Sequence, residues 1–145
     1  MSVSIEIKPF DELSRQELYE LMVLRNRVFV VGQKITAEAE VDGLDPNCHH
    51  VLMRLDGQLV GTARLFWEEE PVKVGRICVD TSRQRVGLGT AMMERVQDYL
   101  GDRRAVMHAQ QYLEKWYESL GWEREGEVFD EAEIAHVKME WKTSS

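Results

Sequence analysis

Apolar and polar residues alternate at both ends of the chain. Val3, Ile5 and Ile7 alternate with polar residues, and this period of two predicts an opening strand. The same alternation marks residues 136–141, and closing strands are expected there and at residues 122–129. The chain is therefore expected to begin and end in a sheet.

Apolar residues at helical spacing predict three helices between these strands. The first is introduced by Ser14 and Glu17, whose spacing is that of a capping box, and is expected to run to about Val30. The second covers residues 87–100, and the third covers 113–120, where Gly121 stops it.

Four apolar runs complete the pattern. Asp56-Gly57 separates two of them, which predicts a β-hairpin over residues 51–67. Strands are also expected at 72–79 and 105–109, whereas the acidic stretch 32–47 is expected to be a loop with at most one short helix. The order β-α-β-β-β-α-β-α-β-β predicts an α/β (α+β) fold with a mixed central sheet of about seven strands and helices on both faces.

Length, charge and cysteine spacing limit the number of domains and the kinds of partner that this chain can have. A chain of 145 residues fits one domain, so we expect a single domain over 1–145. The net charge of −8 argues against a nucleic-acid partner. Because there is no signal-like segment or membrane-length apolar run, we expect no membrane association and a cytoplasmic protein. Cys48 and Cys78 form no CxxC pattern, so we expect no metal site.

The segment most suggestive of chemistry follows the strand at 72–79. Gln84, Gly87 and Gly89 come just before a predicted helix, with Arg83 and Arg85 beside them. Glycines let backbone N–H groups approach an anion, and a helix N-terminus favours negative charge, so the loop suits a pyrophosphate. The dinucleotide and P-loop fingerprints are both unmet. On the motif alone, a simple tight turn is an equally good interpretation.

Two motifs together resemble the GNAT acetyltransferases. Gln84-x-x-Gly87-x-Gly89 is similar to the family's motif A, and Trp116-Tyr117-x-x-x-Gly121-Trp122 is similar to its second signature, in the correct order. Further pieces resemble the ElaA-like and YjcF-like branch, among them Leu24-Arg25, Glu40-x-Asp42, Ala109-Gln110 and His136-x-x-Met139. Three positions depart from that branch: Gly32, His108 and Ala135.

The resemblance implies an acetyl-CoA-dependent N-acetyltransferase of the GNAT fold. Acetyl-CoA would be the co-substrate, and a primary amine of a small molecule or peptide would attack its thioester directly. Tyr117 would protonate the leaving thiolate, although its apolar neighbours also fit a core tyrosine. The implied coenzyme-binding residues are Ile77, Cys78 and Val79 on the strand, and Gln84, Arg85, Val86, Gly87, Leu88, Gly89 and Thr90 in the loop and helix start. A non-catalytic acyl-CoA-binding or sensing module of the same fold is the alternative, and a homodimer remains open.

The acceptor side is predicted from charge and from the resemblance. Glu40 and Asp42 lie in the acidic stretch and would attract a cationic amine, and His50 is a further substrate-side candidate. The resemblance places His136 near the cleft as a base, whereas strand alternation predicts a surface histidine. Cys78 lies in a β-branched strand, which favours a packed thiol over a nucleophile.

Overall fold

Seven strands and three α-helices make up a computed structural model that describes residues 2–35, 38–80 and 87–142. The strands are β1 (Val3–Pro9), β2 (His49–Leu55), β3 (Gln58–Phe66), β4 (Val72–Val79), β5 (Ala105–Gln110), β6 (Glu123–Glu131) and β7 (Ile134–Trp141). The helices are α1 (Arg15–Arg25), α2 (Leu88–Leu100) and α3 (Glu114–Ser119). The predicted order of elements is confirmed.

One mixed sheet contains all seven strands in the order β1-β2-β3-β4-β5-β7-β6. Neighbouring strands are antiparallel except for β4 and β5, which are parallel. The parallel pair follows from the chain path, since α2 connects the end of β4 to the start of β5 as a crossover. The predicted mixed sheet of about seven strands is therefore confirmed.

Helices cover both faces of this sheet, as predicted. α2 and α3 pack on one face, where Met92, Met93 and Tyr117 join the main core with Val51 and Met139 of the strands. On the other face, α1 packs on a smaller cluster through Leu21 and Leu24, against Leu52, Leu59 and Cys78. We refer to these as the α2 face and the α1 face.

The start of α1 has the predicted capping box. The Glu17 backbone N–H donates to the Ser14 hydroxyl oxygen at 3.0 Å, and the Ser14 N–H donates to the Glu17 carboxylate at 2.8 Å. The helix runs to about Val30 as predicted, but only its first part is α-helical: after Arg25 it continues as a π-helical segment, Asn26–Gly32. Periodicity alone cannot distinguish the wider π turn, so its change of geometry was missed.

Tight turns and short helices connect the rest. Asp56 and Gly57 both have positive φ, at 51° and 85°, so the predicted two-residue hairpin between β2 and β3 is confirmed. Within the described part of the acidic stretch, Asp45–Asn47 forms a 3-10 helix, and two others lie at Phe10–Glu12 and Gln111–Leu113. Within the described ranges, no helix is both long and apolar enough to cross a membrane.

Candidate active site

A gap opens in the sheet between β4 and β5. The two strands pair only at their beginnings, where Val72–Val74 lies opposite Ala105–Met107. β4 continues to Val79 and β5 to Gln110 without further pairing to each other. The later part of β4 therefore presents backbone groups towards the gap that a ligand can bind.

A β-bulge in β4 lies at this gap. Thr62 pairs with Cys78 and Arg64 with Gly75, so two residues of β4, Arg76 and Ile77, lie opposite one residue of β3. Arg76 has φ = 49°, the left-handed conformation that occurs at such bulges. A bulge leaves one residue outside the regular ladder, which re-aims backbone groups of β4.

A cavity of ≈ 640 Å³ occupies the gap. Its walls come from both faces of the sheet, because Tyr117 belongs to the α2-face core whereas Arg64 and His136 lie on the other face. Lining residues from the diverging strands and α3 are Val74, Gly75, Arg76, Ile77, His108, Ala109, Gln110 and Tyr117. The cavity thus connects the two sides of the sheet at the point where its strands separate.

The N-terminus of α2 lies beside the end of β4. Gly87 is the helix N-cap with φ = 94°, and as a glycine it has no side chain with which to cap the helix. The first backbone N–H groups of α2 therefore keep their capacity to bind an anion. A Cβ at Gly87 would meet nothing within 4 Å, so its positive φ and not crowding explains the glycine.

Contacts to α3 fix the next residues of α2. A Cβ on Gly89 would lie 3.3 Å from the Trp116 ring and 3.9 Å from a Val79 methyl group. The Trp116 indole N–H donates to the Thr90 hydroxyl at 3.2 Å, and Leu88 is buried in the core. These contacts join the helix start, the end of β4 and the residue before Tyr117. The predicted coenzyme residues Gln84, Arg85 and Val86, together with Arg83, lie outside the described residues.

Tyr117 lines the cavity although its side chain is largely packed in the core. The residue is only 3% exposed and contacts the rings of Trp116 and Trp122. Burial raises the pKa of its hydroxyl well above the ordinary tyrosine value, so the group stays protonated. Its hydroxyl has no hydrogen-bond partner among residues 2–35, 38–80 and 87–142. Tyr117 can therefore be both a packed core residue and a proton donor at the cavity.

Glu40 lines the cavity, but its charge is already compensated. Its carboxylate accepts from Arg25 Nε at 2.8 Å and from Arg76 Nε at 3.1 Å. Arg25 is buried, with 2% exposure, so this pair is removed from bulk water. The carboxylate holds the segment around residue 40 against α1 and the β4 bulge.

Asp42 is likewise paired, and Asp45 joins the two ion pairs. Asp42 accepts from Arg64 at 2.6 and 3.0 Å, and Asp45 Oδ1 accepts from Arg64 at 3.0 Å and from Arg25 at 2.7 Å. Hydrogen bonds from Arg64 hold the pKa of Asp42 well below its usual range. We call Arg25, Arg64, Arg76, Glu40, Asp42 and Asp45 the ion cluster. Its three arginines balance its three carboxylates, which removes the electrostatic reason for expecting an ammonium there.

His136 is buried, so the surface position predicted from strand alternation is wrong. It is 6% exposed and stacks on Phe129 with ring centroids 6.1 Å apart. Its Nδ1 lies 2.7 Å from the Ile134 carbonyl oxygen, and its Nε2 lies 3.8 Å from a Glu131 oxygen. The alternation was misleading because Phe129 and Glu131, on the neighbouring strand, lie against the ring. His136 lines the cavity, as the family resemblance implied.

His50 lies away from the cavity lining. It is 1% exposed, and its Nε2 lies 2.9 Å from the Asp45 carbonyl oxygen. Burial lowers its pKa, which favours the neutral ring. Its neighbour His49 points to the other face, where it stacks on Trp67 at 5.1 Å. The two histidines thus occupy opposite faces, as expected for adjacent strand residues.

The side chain of Cys78 faces α1 and not the gap. It packs in the smaller core, and burial raises the pKa of its thiol to about 12. Cys48 is also buried and free, with a pKa raised to about 11 by burial. Both thiols are therefore buried and protonated, and Cys78 is packed as predicted. The predicted coenzyme residues Ile77, Cys78 and Val79 can contribute their backbone.

A family comparison decides the classification. The family model described as "Acetyltransferase (GNAT) domain" matches residues 11–143. The chain belongs to the GNAT acetyltransferase family. The resemblance suggested by the two glycine-containing motifs is therefore confirmed.

Several relatives of this GNAT protein share most of its length. A UPF0039 protein of Schizosaccharomyces pombe is 35% identical over 139 residues, which cover 91% of this chain and 92% of the relative. The crystal structure of Escherichia coli ElaA has a TM-score of 0.87 at 28% identity, covering 97% of this chain and all of that one (100%). A crystal structure named as an acyl-CoA N-acyltransferase from Pseudomonas aeruginosa has a TM-score of 0.87 at 35% identity, covering 97% and 99%.

A more distant solved structure shares the fold. It is a GNAT family acetyltransferase from Elizabethkingia anophelis, solved with acetyl-CoA bound. Its TM-score is 0.63 at 13% identity, with 97% of this chain and 98% of that chain covered.

Sequence reasoning on this GNAT chain missed the ion cluster and Glu131. Arg25 stands on the apolar stripe of the first helix, and that position was a signal that it needs a buried carboxylate. Arg64 gives the same signal, because it lies among apolar residues of a buried strand. Glu131 gave no signal, because it lies in an acidic segment where exposure is the ordinary expectation. Among the described residues, no group of three or more His, Cys, Asp or Glu side chains could hold a metal ion.

Proposed function

We propose that this GNAT protein is an acetyl-CoA-dependent N-acetyltransferase that acts on a primary amine. The observation that carries the proposal is the gap between β4 and β5, which holds a cavity reaching Tyr117 on one face and His136 on the other. Two substrates could approach such a cavity from opposite sides of the sheet. Family membership and the acetyl-CoA complex of the Elizabethkingia protein support the choice of acetyl-CoA.

The diverging part of β4 and the start of α2 suit the coenzyme. Acetyl-CoA would supply an acetyl group activated as a thioester. The backbone of Ile77–Val79 would pair with its extended arm, and the uncapped N-terminus of α2 would receive its pyrophosphate. We include Gln84, Arg85 and Val86 in this phosphate site on the strength of the motif alone. The β4 bulge would aim a backbone N–H at the thioester oxygen.

Tyr117 is our candidate acid. Its hydroxyl is protonated because burial raises the pKa, and the residue lines the cavity between the strands. A positioned hydroxyl can give a proton to the leaving thiolate and so avoid release of a charged sulfur.

His136 is our candidate base. An amine is protonated near neutrality and must lose a proton before it can attack. Histidine is the side chain that most readily exchanges protons between pH 5 and 8. Direct attack then forms the N–C bond and breaks the C–S bond. As the amide forms, the nitrogen loses a second proton. This proton returns to Tyr117 and replaces the one that Tyr117 gave to the sulfur.

Glu40, Asp42 and His50 remain part of the proposed acceptor side in a supporting role. Glu40 and Asp42 form one cavity wall, and their pairing with arginine keeps that wall in place. His50 bonds the Asp45 carbonyl beneath it. Their proposed task is to shape the acceptor side rather than to attract charge.

A panel of amines tests the function. Purified protein is incubated with acetyl-CoA and one amine at a time, drawn from polyamines, amino acids, aminoglycosides and short peptides, and free thiol is measured. The proposal expects amine-dependent thiol release with at least one class and an N-acetylated product of matching mass. Acetyl-CoA binding without release for every class would instead indicate a non-catalytic acyl-CoA-binding module.

A further inference from the structure

Four side chains gather on the α1 face of the sheet beside the cavity. Strand pairing places Phe129 directly opposite His136. It places His108 opposite Lys138, which lies two residues after His136 on β7 and points to the same face. Residues two apart in a strand share a face, so His108, Phe129, Glu131 and His136 project to the same side. Three strands thus contribute to one group, which we call the His–Glu cluster.

Glu131 lies between the two histidines of this cluster. His108 Nδ1 is 2.9 Å from Glu131 Oε1, and His136 Nε2 is 3.8 Å from Glu131 Oε2. Phe129 packs against both rings, with centroids 5.0 Å from His108 and 6.1 Å from His136. His108, Glu131 and His136 all line the cavity.

The hydrogen bond at Nδ1 determines which nitrogen of His136 is the base. Its partner, the Ile134 carbonyl oxygen at 2.7 Å, can only accept, so Nδ1 must carry the hydrogen. In the neutral ring Nε2 therefore carries the lone pair. The distance of 3.8 Å from Nε2 to Glu131 is too long for a direct hydrogen bond. Two acceptors with such a separation can both be reached by one ammonium nitrogen at about 2.9 Å from each.

The turn after Glu131 is unusual and fixes its position. Ala132 and Glu133 form a two-residue turn in which both have positive φ, 51° and 64°, and Glu131 pairs with Ile134 across it. Asn and Gly are the favoured residues in such turns, whereas Ala in this conformation is strained. The tight turn sets the register of β6 next to β7 and so places the Glu131 carboxylate beside His136.

Glu131 differs from Glu40 and Asp42 in its partners. Glu40 and Asp42 are bonded by arginines of the ion cluster. Within the described part of the chain, the Glu131 carboxylate contacts the two histidine rings, which carry no charge when neutral. Its negative charge is therefore available to a cationic ligand in a way that the charges of Glu40 and Asp42 are not.

We propose that Glu131 and His136 Nε2 together bind the ammonium group of the acceptor, with His108 as the residue that positions Glu131. The inference rests on the proposed function and specifies its acceptor as a protonated primary amine. One N–H of the ammonium donates to Glu131, and another is aimed at Nε2. Nε2 takes that proton, the resulting imidazolium is stabilised by Glu131, and the neutral amine remains beside the thioester.

Two amines of different charge test this assignment. Propylamine is protonated at about pH 8, whereas trifluoroethylamine is uncharged there. Glu131→Gln should raise KM for propylamine by about tenfold or more, the scale of a hydrogen bond to a charged group, and leave KM for trifluoroethylamine unchanged. Glu131→Asp should recover part of the loss. Glu125→Gln, an exposed change on the same strand, is the matched control and should alter neither KM.

Equal changes in KM for both amines, or no change for either, would overturn the assignment. A second readout does not depend on turnover: histidine-ring NMR signals are followed while propylamine is added to the protein. The signals of His108 and His136 should shift in the parent and not in Glu131→Gln. If they shift in this way while the parent transfers acetyl to no amine, the ammonium site stands and the transferase proposal fails. If they do not shift in the parent, the site itself is wrong.

Discussion

Replacement of Asp45 by Asn should strongly destabilise the protein. Asp45 is 7% exposed, and a single oxygen of its carboxylate accepts from both Arg25 and Arg64. Asn removes the charge at nearly constant shape and leaves two buried guanidinium groups with one carboxylate fewer. Breaking a buried ion pair in this way costs about 3–5 kcal/mol. Because whole domains are stable by only about 5–15 kcal/mol, such a loss is a large fraction of the total.

The effect of Asp45→Asn is measurable by urea unfolding followed by tryptophan fluorescence. Asp98→Asn, an exposed change on α2, is the matched control and should stay within about 0.5 kcal/mol of the parent. A loss below about 1 kcal/mol for Asp45→Asn would show that the ion cluster contributes little, and would refute the reasoning.

The same variant has an expected pH dependence. Burial of Asp45 opposes its ionisation, but the hydrogen bonds and charges of Arg25 and Arg64 outweigh this, so its folded pKa is lowered. A lowered folded pKa gives a contribution that is fully present above the unfolded value of about 3.9 and is lost as pH falls through the folded value. The difference in stability between parent and Asp45→Asn should therefore be constant near neutrality and shrink below about pH 4. A difference that grows on acidification would contradict the assignment.

Three further predictions concern the coenzyme site, the β6–β7 turn and the base. In a thermal-shift assay, acetyl-CoA at a hundredfold excess over Kd should stabilise the parent by about 2.7 kcal/mol. Gly87→Asp should abolish this stabilisation. Gly87→Asn should retain most of it, because Asn also tolerates the positive φ of this position and carries no charge. Equal losses in both would indicate a steric effect rather than the charge of a phosphate site. The double change Ala132→Asn and Glu133→Gly should raise stability by about 1 kcal/mol in urea unfolding, because both positions then suit positive φ, and a decrease would contradict the turn assignment. His136→Ala should lower kcat by about 10²-fold or more, and an unchanged kcat would exclude it as the base.

Much of the fold could be predicted from local patterns. The capping box at Ser14 and the Asp56-Gly57 turn each depend on residues within a few positions, and both form as expected. The order of strands and helices follows from the same short-range periodicity. The π-helical segment after Arg25 was not predicted, because its hydrogen bonds differ from those of an α-helix by one residue while the apolar spacing stays similar.

The site was harder to predict because its residues meet only through strand pairing. Glu40 and Asp42 looked like free carboxylates, since their partners Arg25, Arg64 and Arg76 lie 15 to 36 positions away. His136 looked exposed because alternation along one strand does not show what the neighbouring strand covers. Its proximity to Glu131 depends on the register of a turn with two left-handed residues that are not glycine, which local propensity disfavours.

The most direct test of the proposed chemistry is the rate of acetyl transfer by Tyr117→Phe. The change keeps the aromatic packing against Trp116 and Trp122 and removes only the hydroxyl of this cavity-lining residue. With the best amine of the panel, and with single-turnover kinetics to isolate the chemical step, we expect a rate about 10²-fold lower or more. The Kd for acetyl-CoA, measured by calorimetry, should be unchanged. A Tyr117→Phe enzyme that folds, binds acetyl-CoA and transfers acetyl at the parent rate would contradict the role of this cavity in catalysis.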